Sequence, residues 1–283
     1  MQRSVPLKNK TTFKIGGRAQ YFSEPKNLDE LQSLLASARK KRIPVRLLGA
    51  GSNVLADDRG VRALVIRLNA PSFREITARG DFIYAGSGAS LWQLVKYCAK
   101  RGLSGPEFLS GIPGTLGGAL VMNAGAWGQN IAKSVEEVVV MDYNGNVELL
   151  KKKDLRFAYR KSNLAKSIIL SAFLKVTKKN KSAIDKRIKK YLENRRKGQD
   201  NSYPSAGCIF KNPSKGAAGR LIDLCRLKGK RVGGAVISER HANFILNKGG
   251  ASSKDVLKLM SLAKKEVKRR FKVKLEPEIK IWS

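Results

Sequence analysis

Histidine is almost missing from this chain: His241 is the only one in 283 residues. A metal centre built on imidazole ligands is therefore excluded, and no bound metal is expected. Cysteine is scarce as well. Cys98, Cys208 and Cys225 are odd in number and lack CxxC spacing, which argues against a disulfide framework or a structural zinc site and fits a reducing compartment. No apolar run approaches the ~18 residues of a membrane-spanning helix. The opening residues Met1 to Pro6 lack the apolar core of a secretion signal, so a cytoplasmic location with no membrane partner is expected. Acidic residues are few, 22 against 57 Lys and Arg, for a net charge of +35. Such a surplus suits nucleic acid, an anionic surface or anionic small substrates. Yet no zinc-finger, helix-turn-helix or RNA-binding pattern accompanies it. Trp92, Trp127 and Trp282 are too far apart to form a base-stacking platform. No internal repeat or low-complexity tract is present.

What remains is an ordinary globular composition, 42% apolar and 28% charged, in a chain long enough for two or three domains. Asn27-Leu-Asp-Glu30 resembles a capping box, and Leu28, Leu31, Leu35 and Ala38 follow at helical spacing. Short strands are expected at 44–48, 61–68, 82–85 and 168–176, and a helix at 91–100. Asn144-Gly145 between Val138-Val-Val-Met141 and Val147-Glu-Leu-Leu150 predicts a hairpin. A polar linker from Lys179 leads to a charged helix at 183–197, a loop-rich stretch at 198–219 and a short helix near Leu221. The apolar stripe Val256, Leu259, Met260, Ala263, Val267 and Phe271 predicts a final helix over 253–271, and 275–282 reads as a closing strand. The pattern is α+β.

Two segments need glycine and expose many backbone amides. Leu48-Gly-Ala-Gly-Ser-Asn-Val-Leu55 directly follows a strand, where consecutive amides can form a nest for pyrophosphate oxygens. Gly111-Ile-Pro-Gly-Thr-Leu-Gly-Gly-Ala119, followed by Met122-Asn-Ala-Gly-Ala126, places five glycines between Gly111 and Gly125, too many for an ordinary helix or strand. Neither completes the GxGxxG fingerprint or ends in GK[ST]. Simple tight turns are the alternative reading.

These loops, together with Thr12-Phe-Lys-Ile-Gly-Gly17, Tyr159-Arg-Lys-Ser162, Pro204-Ser-Ala-Gly-Cys-Ile-Phe-Lys-Asn-Pro213 and Leu275-Glu-Pro-Glu-Ile279, occur in an order that resembles the UDP-N-acetylenolpyruvoylglucosamine reductase family, in its shorter subtype. The resemblance runs from about residue 11 to 282. It implies an α+β chain with an FAD-binding fold of the vanillyl-alcohol oxidase type plus a smaller C-terminal α+β substrate domain. Residues 1–178 would form the FAD-binding region, in two lobes of about 1–70 and 71–178. Residues 179–272 would form the substrate domain, and 273–283 a strand returning towards the active site. The implied cofactor is FAD, with NADPH as reductant, and the implied substrate is UDP-N-acetylglucosamine enolpyruvate, handled by a monomer in peptidoglycan precursor synthesis.

Carried onto this sequence, the resemblance assigns the flavin dinucleotide to Gly49, Ala50, Gly51, Ser52, Asn53, Gly111, Pro113, Gly114, Thr115, Gly117, Gly118, Asn123, Ala124 and Gly125. Reduction of the enolpyruvyl group leaves negative charge beside a carboxylate, which calls for a preplaced cation and a proton donor. Arg160 matches the family's active-site arginine; its planar guanidinium can clasp a carboxylate through two parallel hydrogen bonds. Glu278 matches the C-terminal glutamate, with Glu276 two residues away on the same strand face. Cys208 stands where many members carry serine as proton donor. A thiol, with a reference pKa of about 8.5, is more acidic than a hydroxyl and suits the task. Lys211 and Asn212 are expected to face the substrate, and His241 to touch its UDP moiety. Cys98 and Cys225 read as core. Another FAD oxidoreductase of the same fold and a basic nucleic-acid-binding protein are the competing readings; the second leaves the glycine loops without a purpose.

Overall fold

A computed structural model describes all residues 1–283 and divides them into two compact units. The first comprises Met1, 22–50 and 63–195; the second comprises 2–21, 51–62 and 196–283.

The first unit is organised around a five-stranded antiparallel sheet. Its order is Val147–Lys151, Val135–Met141, Ile168–Lys175, Phe82–Gly86 and Ile76–Arg79. The predicted hairpin joins the first two strands, with Met141 opposite Val147. Its loop spans five residues rather than the two of a tight turn. The Asp142 carboxylate accepts from the amides of Asn144 (2.8 Å) and Asn146 (2.9 Å), while Gly145 supplies a φ of +99°. Leu91–Lys100 forms a helix as predicted and buries Leu94, Val95 and Cys98 against this sheet's core. In the helix Leu28–Lys40, Asn27 caps the Glu30 amide (2.9 Å), and Leu31, Leu35 and Ala38 form the buried stripe. Val45–Leu47 pairs in parallel with Leu64–Ile66 and ends at the first glycine turn.

The second unit packs a three-stranded antiparallel sheet, Arg231–Val232, Ala235–Ile237 and Ile245–Asn247, against the helix Ser253–Phe271. That helix starts with a reciprocal capping box between Ser252 and Asp255. It buries Val256, Leu259, Met260, Ala263 and Val267, the stripe read from spacing. Phe13, Ile15, Leu55, Ile209 and Phe210 belong to the same core.

The helix Lys181–Gly198 belongs to the first unit as far as Arg195. It is fastened there by Arg187, 3.7 Å from the buried Glu107, and by Arg195 Nε donating to the Ser110 carbonyl (2.9 Å). Residues 275–282 are not one strand. Only Lys280–Trp282 pairs, in parallel with Val54–Ala56, because Pro277 cannot donate to a ladder and makes an isolated bridge to Phe210 instead. The glycine-rich 111–125 segment contains a true helix, Leu116–Val121, despite Gly117 and Gly118.

Candidate active site

The two glycine turns meet inside the first unit. A methyl group added at Gly49 would lie 2.6 Å from Thr115 Oγ1, so only glycine fits the contact. The backbone amides of Gly49, Ala50, Gly114 and Thr115 donate to no other group in the chain. The next residue, Gly51, opens the second unit's share of the turn, with φ +69° and a Cβ position 2.3 Å from the Lys10 carbonyl oxygen. Its amide, too, has no acceptor in the chain. Within the first unit, the undirected amides of Gly49, Ala50, Gly114 and Thr115 are of the kind that can nest an anion.

Not every predicted contact is open to a ligand. The Gly117 amide donates to the Ser87 carbonyl (2.8 Å) and the Gly118 amide to Thr115 Oγ1 (3.4 Å). Gly117 is glycine for packing, since a Cβ there would sit 3.0 Å from that of Ser87. Leu91 and Leu116 complete this stitching of the 87–90 turn to the second loop, donating to Gly114 (3.1 Å) and Ala89 (2.9 Å). Gly111 packs on Arg195, and Ser52, Asn53 and Pro113 line the same two turns.

Val121, Asn123 and Gly125 serve as a mount for the hairpin of Arg160. Arg160 sits at the tip of a hairpin, Phe157–Ala158 with Lys161–Ser162, in the left-handed region at φ +54°. Three hydrogen bonds join that hairpin to the glycine segment: Asn123 Nδ2 to the Ala158 carbonyl (3.0 Å), Ser162 Oγ to Val121 (3.0 Å) and Arg160 Nη1 to Gly125 (3.3 Å). Asn123 (+43°) and Trp127 (+49°) also hold positive φ. Such clustered non-glycine conformations persist where surrounding contacts over-determine them, typically at functional sites.

In the second unit Cys208, Glu278 and the end of the first glycine turn come together. Cys208 bridges Phe244, and Ile209 donates to the Asn243 carbonyl (2.8 Å). On the other side the Glu278 amide donates to Ile209 (2.8 Å), and the Glu278 carbonyl accepts from Asn53 Nδ2 (3.2 Å). Thr12 ties in the same turn, donating its amide to Gly51 (3.2 Å) and its hydroxyl to Ser205 (2.7 Å). Thr12 lay inside a motif recognised in the sequence, but nothing in spacing alone gives a hydrogen bond across 193 residues.

The two glutamates separate clearly. Glu276 is exposed and pairs with Lys211 Nζ (3.4 Å), whereas Glu278 is half-buried beside the thiol strand. Asn212 Oδ1 accepts the Ala218 amide (3.0 Å) at the start of the helix Ala218–Leu224, which ties its side chain to the protein. His241 lies under that helix, 3.1 Å from where a Gly219 Cβ would be, and stacks 4.8 Å from Phe244. Burial pushes its pKa below the ordinary value. Burial likewise pushes the Cys98 thiol up to about 12, which makes it inert.

Comparison with known proteins decides the lineage. Residues 199–282 match the C-terminal domain of UDP-N-acetylenolpyruvoylglucosamine reductase, and 19–151 match an FAD-binding domain. UDP-N-acetylenolpyruvoylglucosamine reductase 2 of Symbiobacterium thermophilum is 43% identical, across 100% of this chain and 92% of its own length. The chain belongs to the UDP-N-acetylenolpyruvoylglucosamine reductase family. The Synechococcus member is 44% identical over 99% of this chain and 91% of its own. The crystal structure of the Thermus caldophilus reductase superposes with a TM-score of 0.87 at 39% identity, covering 99% of this chain and 98% of that one. The α+β, FAD-binding fold expected from the motifs is thus borne out, and FAD is the cofactor of this reductase-family chain. No helix is long and apolar enough to cross a membrane.

Proposed function

We propose that the chain reduces the enolpyruvyl ether of UDP-N-acetylglucosamine enolpyruvate to UDP-N-acetylmuramate, with NADPH as reductant, as a cytoplasmic monomer. The reading rests on family membership and on one observation in particular. The thiol strand at Cys208–Phe210 and the glycine turn at Gly51–Asn53 are held in one unit through the Glu278 peptide.

Gly49, Ala50, Gly114 and Thr115 of the first unit would hold the FAD diphosphate through their amides. When bound, FAD supplies hydride chemistry that no side chain here offers. Arg160 would clasp the substrate carboxylate with its planar fork. Its left-handed backbone and three-point mount fix the guanidinium before the substrate arrives, so little reorganisation remains for the reaction. Cys208 would hold the proton destined for the carbon beside that carboxylate, with a half-buried Glu278 as the neighbouring acid. Glu276, drawn to Lys211 on the surface, is the poorer candidate. Lys211 would meet a phosphate or carboxylate of the UDP-sugar, and Asn212 an amide or hydroxyl. His241 would serve as a wall near the UDP moiety more than as a titrating ligand, since burial disfavours its charged form. Residues 199–282 would make up most of the substrate domain.

The test is a UV-visible spectrum of the purified chain, followed by NADPH oxidation with and without the enolpyruvyl UDP-sugar. A flavin spectrum with substrate-dependent turnover is expected. A flavin spectrum with oxygen-dependent but substrate-independent turnover would replace this reading by that of a general FAD oxidase.

A further inference from the structure

We infer that Asn243 is the positioning residue of Cys208: its side chain acts as a surrogate peptide group that fixes the register of the thiol strand. This rests on the reading of Cys208 as proton donor and adds a part that the comparisons do not assign.

The ladder on one edge of the thiol strand is interrupted. Cys208 bridges Phe244 in antiparallel fashion, and Ile209 donates to the Asn243 backbone carbonyl (2.8 Å). The next step of a regular ladder would require backbone from residue 242 opposite Phe210. The chain turns away there, because the Phe244 amide donates to the His241 carbonyl (2.8 Å) and the Asn243 amide to His241 Nδ1 (3.2 Å). Phe210 is 2% exposed, so its N–H and C=O have no recourse to water. The Asn243 carboxamide supplies what the missing strand would have. Its Oδ1 accepts from the Phe210 amide (2.9 Å), and its Nδ2 donates to the Phe210 carbonyl (2.8 Å).

A primary amide presents one acceptor and one donor side by side, as a peptide does. Leucine has the size but neither group; aspartate accepts twice and donates nothing when ionised; glutamine is one methylene too long. Asn243 is itself 2% exposed. On the opposite edge the Glu278 amide and the Glu276 carbonyl bond to Ile209 (2.8 Å) and Lys211 (2.9 Å). The strand carrying the thiol is thus clamped from both sides, one clamp being a single side chain. Its removal frees Phe210 to shift along the strand, carrying Cys208, two residues before it, with it.

The experiment uses the full-length holoprotein, with Asn243→Leu and the milder Asn243→Asp. Stopped-flow measurements separate flavin reduction by NADPH from flavin reoxidation by the enolpyruvyl UDP-sugar. In both variants the limiting rate of reoxidation should fall, by ~10²-fold for leucine, the loss typical of a misplaced reacting group. Flavin reduction and the half-saturating substrate concentration should stay within threefold. In parallel, peptide mass spectrometry follows iodoacetamide labelling of Cys208 against Cys225 in the same molecule. The ratio of the two rates should change at least threefold in the variants.

Equal loss of both half-reactions, or an unchanged labelling ratio in a flavin-loaded variant, overturns the inference by reducing Asn243 to a general packing residue. Should leucine fail to bind flavin, aspartate alone decides by the same readouts. A wild-type protein whose flavin is not reoxidised by the substrate would sink the functional reading instead, while the labelling ratio still judges Asn243.

Discussion

Replacing Gly49 with alanine puts a number on the claim that the two glycine turns form one cradle. The new methyl would stand 2.6 Å from Thr115 Oγ1, far inside the ~3.5 Å of ordinary contact. No left-handed backbone complicates the case, because Gly49 is not among the positive-φ residues. Relief has two routes. Thr115 can rotate, losing the hydroxyl that caps the helix Leu116–Val121 at Gly118, for ~1 kcal/mol. Alternatively the turn can retreat and drag the amides of Gly49 and Ala50 with it, weakening each charge-assisted contact to a phosphate by about 1 kcal/mol or more. Either route predicts FAD binding weakened by about 5- to 30-fold, read by titrating apoprotein with FAD and following flavin fluorescence. The structure also predicts a rescue. Thr115→Ala removes the colliding oxygen, so the double variant should bind FAD no worse than Thr115→Ala alone. A folded Gly49→Ala protein with wild-type FAD affinity would refute the shared cradle. So would a double variant as weak as the product of the two single ones.

Other expectations follow the same logic. Cys208→Ala should leave flavin reduction by NADPH intact while suppressing substrate reduction by 10²-fold or more, and Cys208→Ser should retain appreciable activity; half-reaction kinetics check both. Arg160→Lys should lower kcat/KM by ~10²-fold, since a point charge cannot reproduce a bidentate fork, with FAD content unchanged by absorbance. His241 has a folded pKa below its unfolded value, so the unfolded chain binds the proton more readily. Stability is therefore complete above about pH 6.5 and falls as pH drops through and below that value; His241→Phe should flatten this acid limb in urea melts at pH 5 to 7. Cys98, with its thiol pushed up to about 12, should resist iodoacetamide at pH 8 until the protein unfolds, a point checked by mass spectrometry with and without urea.

Much of the fold was legible where local chemistry and packing agree. The helices at 28–40, 91–100 and 253–271 announced themselves by apolar spacing and caps, and the Asn144-Gly145 hairpin by its turn residues. What failed locally failed because a tertiary contact overrode propensity. The helix at 116–121 exists because Gly117 lets it press against Ser87, a gain that composition cannot register. The stretch 275–282 breaks up because Pro277 cannot pair as its neighbours do. The site was legible as motifs, yet their chemistry was not. Glu276 and Glu278 were equivalent by periodicity and differ in exposure, Glu278 being half-buried. Asn123 and Asn212 read as ligand contacts but spend side-chain groups on the protein itself. Asn243 gave no signal at all, because its role exists only once residues 210 and 243 are neighbours.

The short helix after the second glycine turn carries a consequence for motion. Six residues cannot sustain a helix alone, and Gly117 and Gly118 each cost it about 1 kcal/mol relative to alanine. Its order is borrowed from the hydroxyl of Thr115 and the carbonyl of Ser87. Amides from Ala119 to Met122 should therefore exchange with solvent through a low-energy local opening, well before the sheet beneath them, and occupation of the adjoining turn should slow them selectively.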